Sequence, residues 1–120
     1  MAHKRKILIV DDDAETLSLL KGFLRHEKFD VIEAVCAEEA LDILESQEVD
    51  LVISDLKMSG MNGVDFLEEL REWDMEMPVI FISGWGNDDE WLKAMRSSAS
   101  AFIEKPFRKE TILQAVQKAL

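Results

Sequence analysis

Residues 7–13 read Ile-Leu-Ile-Val-Asp-Asp-Asp. The apolar run Ile7 to Val10 is short and continuous, as in a strand buried on both faces. Directly after it, Ala14 to about Glu27 carries Leu17, Leu20, Phe23 and Leu24 at helical spacing. Asp13 stands at the junction as the helix N-cap. The same strand-then-helix unit recurs along the chain. Val31 to Ala34 is a weaker strand, and Ala37 to about Ser46 puts Ala40, Leu41 and Leu44 on one helical face. Leu51 to Ile53 precedes a helix from Gly63 to about Trp73, with Val64, Phe66, Leu67 and Leu70. Val79 to Ile82 precedes Asp88 to about Ser97, with Trp91, Leu92 and Met95. Ala101 to Ile103 precedes Lys109 to Leu120, with Ile112, Leu113, Val116 and Leu120. Five such pairs with short connections predict an α/β fold: a parallel sheet covered by helices on both faces. In such sheets the ligand site lies beyond the carboxyl ends of the strands.

Composition narrows the function. The chain has 120 residues, 25 acidic and 14 basic, for a net charge of −11. That length suits one domain over residues 1–120 with a real core. A surface this acidic repels phosphate backbones, so these residues are a poor nucleic-acid binder. No apolar run approaches the roughly 20 residues that span a bilayer. The basic start, MAHKRK, is followed by too short an apolar run for a signal peptide. A cytoplasmic location is expected, and the single cysteine, Cys36, agrees with a reducing compartment.

The residues at the strand ends carry the chemistry. Asp11, Asp12 and Asp13 come after the first strand, Ser54 and Asp55 after the third, Ser83 and Gly84 after the fourth, and Glu104, Lys105 and Pro106 after the fifth. Clustered carboxylates repel one another and bind a hard divalent cation through oxygen. A hydroxyl and an ammonium beside the cation hold phosphoryl oxygens. An aspartate there can act as a nucleophile and form an aspartyl phosphate. Each residue alone would be an ordinary cap or loop charge. The combination, delivered by four different strands of one sheet, is far less common by chance.

The segments ILIVDDD, LVISDLKMSGMNG, VIFISG and AFIEKPF together resemble the receiver domain of the bacterial two-component response-regulator family, over essentially the whole chain. That resemblance implies a doubly wound, flavodoxin-like (βα)5 fold with strand order 2-1-3-4-5. It makes Asp55 the phosphoacceptor. Asp11 and Asp12 become the acidic pair for Mg2+, joined by Asp55 and the main-chain carbonyl of Lys57. Ser83 matches the hydroxyl that binds the phosphoryl group, and Lys105 the lysine on a phosphoryl oxygen. Phe102 matches an aromatic switch, and the Lys105–Pro106 bond is expected to be cis. Gly63 matches a glycine that closes the turn after Asp55, attributed to its freedom at positive φ. The implied function is a phosphorylation-activated switch served by a sensor histidine kinase or phosphotransfer protein. A homodimer through the fourth helix, fifth strand and fifth helix is also implied.

Some positions depart from the family. Ser59 stands where proline is usual, which predicts a more mobile loop, and Ser98 where glycine is usual. Trp85 and Lys57 occupy places that influence water access, and are expected to slow dephosphorylation. Two other functions stay open: a docking module independent of phosphorylation, and a Mg2+-dependent phosphohydrolase. The first would lack Asp55, Lys105 or the acidic pair. The second would need an acid two residues after Asp55, where Lys57 stands. His3, His26 and the three tryptophans have no spacing that suggests chemistry. His26 is expected to bear a partly positive ring favoured by a helix end, and the tryptophans to pack in the core or at its rim.

Overall fold

The computed structural model describes residues 4–84, 94 and 97–120. Among the described residues nine elements follow in order: β1 Lys6–Val10, α1 Ala14–His26, β2 Asp30–Ala34, α2 Ala37–Ser46, β3 Leu51–Asp55, α3 Gly63–Glu72, β4 Val79–Ser83, β5 Ala101–Glu104 and α4 Lys109–Ala119. The five strands are all parallel, in the order β2-β1-β3-β4-β5. The helix expected over residues 88–97 falls mostly outside the described residues, as do Trp85 and Trp91; Ala94 is helical and buried.

Two cores sit on the two faces of the sheet, and strand alternation fills them. Ile7, Ile9, Leu51, Ile53, Ile80, Ile82 and Ile103 face one way and meet Leu17, Leu20 and Leu24 of α1 and Ile112 and Val116 of α4. Leu8, Val10, Val52, Val79 and Phe81 face the other way, against Ala40 and Leu44 of α2 and Val64, Phe66, Leu67 and Leu70 of α3. Burial on both sides explains why the strands read as continuous apolar runs.

The helix ends follow from local chemistry. Asp13 caps α1, its carboxylate accepting from the Glu15 N–H (3.2 Å) and the Thr16 hydroxyl (2.9 Å). The Asn62 side chain accepts from the Asp65 N–H (2.9 Å) at the start of α3. Cys36 caps α2: its Sγ accepts from the Glu39 N–H at 3.5 Å, while Oε1 of Glu39 accepts from the Val35 N–H at 3.1 Å. The cysteine is thus a structural cap. At the far end of α1, Nζ of Lys109 donates to Nδ1 of His26 (3.3 Å). Trp73, at the end of α3, is half-buried, and its Nε1–H donates to Oε1 of Glu69 (3.1 Å). Among the described residues, no helix is long and apolar enough to cross a membrane.

Candidate functional site

The ladder extends past the apolar runs and carries the polar residues with it. Ser54 and Asp55 belong to β3, and Ser83 to β4, rather than to loops after them, because Asp55 pairs in register with Ile82 and Ser83 with Glu104. Asp11 continues β1, its N–H donating to the Ala34 carbonyl (3.1 Å), and the Lys105 N–H donates to the Ser83 carbonyl (2.7 Å). Alternation then puts Asp11, Asp55 and Lys105 in the same phase as Ile9, Ile53 and Ile103, on the α1/α4 side.

There they meet. Nζ of Lys105 donates to Oδ2 of Asp11 (2.9 Å) and to Oδ2 of Asp55 (3.1 Å). Asp11 is fully buried and Asp55 is 6% exposed, while Asp12 is exposed. Asp11, Asp12 and Asp55 each offer a carboxylate oxygen within 4.8 Å of the other two. Oδ1 of Asp11 also accepts from the Asp13 N–H (2.9 Å), and Oδ1 of Asp55 from the Lys57 N–H (3.3 Å). Asp13 stays on its capping duty, as expected.

Electrostatics separates these groups. Burial pushes the Asp11 carboxyl above its ordinary value, and the nearby Asp55 charge adds to this. The Asp13 N–H and the Lys105 ammonium pull the other way without reversing it. For Lys105, burial is the largest single influence and lowers its value. The Asp11 hydrogen bond and the Asp55 charge and hydrogen bond together outweigh burial, so the ammonium is held above the usual lysine value. The Thr16 hydroxyl and then the Glu15 N–H hold Asp13 below the usual carboxylate value.

Ser83 is buried at 3% exposure, and so lies at the rim without being open to water. Phe102 is half-buried, its ring centroid 6.1 Å from that of Phe81 at a 36° tilt. A groove of about 520 Å3, lined in part by Phe102, Ile103, Ala115 and Ala119, runs along the open edge between β5 and α4. The Lys105–Pro106 bond is cis, as expected.

Gly63 needs a different explanation from the one its sequence suggested. Its φ is not in the left-handed region; among the described glycines only Gly60 is, at φ 82°. A Cβ on Gly63 would sit 2.6 Å from the Asp55 carbonyl oxygen and 3.0 Å from both Leu56 Cα and Phe81 Cε1. The glycine is there so that α3 can start against the chain that carries Asp55, with the Gly63 N–H bonded to the Leu56 carbonyl (2.8 Å).

Five hydrogen bonds around the site had no signal in the sequence. The Ser59 N–H donates to Oδ2 of Asp12 (3.3 Å), and the Met61 N–H to Oε2 of Glu38 (3.4 Å). Arg71 donates to the carbonyls of Met75 (2.7 Å) and Met77 (3.0 Å) and to Oγ of Ser98 (3.1 Å), tying together the approaches to β4 and β5. The first two of these contacts join residues 47 and 23 positions apart, beyond any local pattern.

Residues 7–117 match the sequence profile of the response regulator receiver domain. The whole chain aligns at 36% identity with the transcriptional regulatory protein GlrR of Escherichia coli (strain K12), of which it spans 27%. It aligns at 34% identity with the chemotaxis protein CheY of Bacillus subtilis (strain 168), covering 100% of this chain and 99% of that one. Among solved structures, FixJ-N superposes with a TM-score of 0.88 at 30% identity, over 98% of this chain and 94% of that one. With a flavodoxin-like sheet, an acidic pocket at its carboxyl edge and these relatives, the chain belongs to the response regulator receiver domain family of bacterial two-component systems.

Proposed function

We propose that this chain is a phosphorylation-activated switch in which Asp55 accepts a phosphoryl group from a phosphohistidine, presented by a sensor histidine kinase or a phosphotransfer protein. The observation that carries the reading is the convergence of Asp11, Asp12, Asp55 and Lys105 at one point on the sheet edge. Receiver domains of response regulators are signalling domains, not classical enzymes, and that matches a product which stays on the protein.

The donor set suits Mg2+. Three carboxylate oxygens within 4.8 Å of one another, two of them from buried side chains, are hard ligands for a small divalent cation. Lys105, paired with Asp11 and Asp55, neutralises only part of their charge. Asp11, Asp12, Asp55 and the Lys57 carbonyl are the proposed holders. When bound, Mg2+ draws negative charge from the phosphoryl oxygens.

The rest is done by the chain itself. A carboxylate oxygen of Asp55 attacks phosphorus in line with the donor nitrogen. The P–N bond breaks, its electron pair returns to the imidazole, and a P–O bond to Asp55 replaces it. Burial keeps bulk water from the acceptor oxygen. Lys105, which bridges Asp11 and Asp55 before transfer, takes a phosphoryl oxygen once Asp55 is modified. The Ser83 hydroxyl turns to the same group, and Phe102 follows into the space this leaves. These contacts bias a pre-existing two-state equilibrium. The groove beside Phe102 carries the result to a partner, a second copy of the chain included.

The test is incubation with acetyl phosphate or beryllofluoride, with and without Mg2+, on the wild type and Asp55→Asn. Mass spectrometry should show one Mg2+-dependent adduct on Asp55 that Asp55→Asn lacks. An unmodified wild type overturns the switch and favours a docking module. Rapid turnover of many phosphoesters overturns it in favour of a phosphohydrolase.

A further inference from the structure

Asp12 differs from its two neighbours in the acidic cluster: it is exposed, and they are buried. An exposed carboxylate samples several rotamers, and a cation that needs one of them must immobilise it at a cost in affinity. The Ser59 N–H limits that freedom by donating to Oδ2 of Asp12 at 3.3 Å. The loop that carries Ser59 is itself anchored on either side. The Lys57 N–H donates to Oδ1 of Asp55 (3.3 Å), the Met61 N–H donates to Oε2 of Glu38 (3.4 Å), and Gly60 at φ 82° makes the turn between them. The donor at position 59 is main chain, so the serine side chain plays no part in this bond.

We propose that Ser59 is a positioning residue for the divalent-cation site, its main-chain N–H holding the Asp12 carboxylate in place before the cation arrives. This rests on the reading of Asp11, Asp12 and Asp55 as that site. Proline at position 59 deletes the donor, whereas alanine retains it.

Isothermal titration of Mg2+ into the full chain tests this with the wild type, Ser59→Ala and Ser59→Pro. Ser59→Ala should bind as the wild type does. Ser59→Pro should bind roughly two- to tenfold more weakly, the range for one net hydrogen bond. Urea midpoints without metal report any loss of folding separately. A second measurement needs neither metal nor proline: amide hydrogen exchange at Ser59 should speed up in Asp12→Ala. Unchanged Mg2+ affinity in a folded Ser59→Pro, or unchanged exchange in Asp12→Ala, overturns the proposal. A wild type that takes up no Mg2+ overturns the cation site, and the proposal with it.

Discussion

Asp11 is a buried acid whose carboxyl is raised by burial above its ordinary value of 3.8. A raised acid binds its proton more readily in the folded chain. Its favourable contribution is therefore complete below the unfolded value and is lost as pH rises through the folded one. Asp11→Asn removes that charge, so the variant should be more stable than the wild type at pH 7. The gap should close as pH falls toward 3.8, where the wild-type acid is itself protonated. Urea midpoints at the two pH values check this, and an equal gap at both contradicts it. Lys105, also raised, contributes stability below its ordinary 10.5 that fades as pH rises through the folded value. Asp13, lowered by Thr16 and Glu15, has the opposite sign: its contribution is present above 3.8 and fades as pH falls through the folded value. Gly63 gives a second residue-scale test. Alanine has a helix propensity about 1 kcal/mol better than glycine, but its Cβ would meet the Asp55 carbonyl at 2.6 Å. Overpacking against main chain costs about 1–3 kcal/mol, so Gly63→Ala should lower stability in chemical denaturation. A neutral or stabilised variant would show that α3 can shift away from Asp55.

At the scale of elements, periodicity located every described strand and helix to within about two residues. It missed the last residues of β3, β4 and β5, because Asp55, Ser83 and Glu104 are polar and read as loop. Ladder pairing with a neighbouring strand, which hydropathy does not report, includes them. Helix exits were equally silent. α1 and α3 both finish on a residue in the left-handed region, Lys28 (φ 67°) and Asp74 (φ 60°), where glycine is the usual choice. Each exit has the paired bonds of a Schellman turn: Lys28 N–H to Arg25 and Phe29 N–H to Leu24 after α1, Asp74 N–H to Arg71 and Met75 N–H to Leu70 after α3. A left-handed non-glycine costs about 1 kcal/mol or somewhat more. Lys28→Gly should therefore raise stability by about 1 kcal/mol, read as a higher urea midpoint at unchanged slope. A loss of stability would mean that the lysine stem packs in a way that outweighs the strain.

For the molecule as a whole, the sheet separates two cores, and they should respond independently. Ile112→Val lies on the α1/α4 side and Leu67→Ala on the α2/α3 side. These should cost about 0.5–1.5 and 2–5 kcal/mol, and the double variant should match their sum to within about 0.5 kcal/mol. A larger departure would show that the sheet transmits strain between its faces. The net charge of −11 is a property of the surface. Only Asp11, Asp12 and Asp55 of the described acids gather in the pocket, the first and last of them buried. By itself the sequence determined the α/β alternation, the two-sided burial of the strands, and the residue types at their carboxyl ends, because hydrophobic periodicity and capping chemistry are local. Tertiary structure alone decided which of those residues meet. Asp11 and Lys105 stand 94 positions apart and touch only because β1 and β5 end on one edge in matching phase. The hold of Ser59 on Asp12 and the raised value of Asp11 arise from that packing, since each depends on groups brought in from distant parts of the chain, and the steric reason for Gly63 arises from the tight return of α3 onto the Asp55 carbonyl and the Phe81 ring.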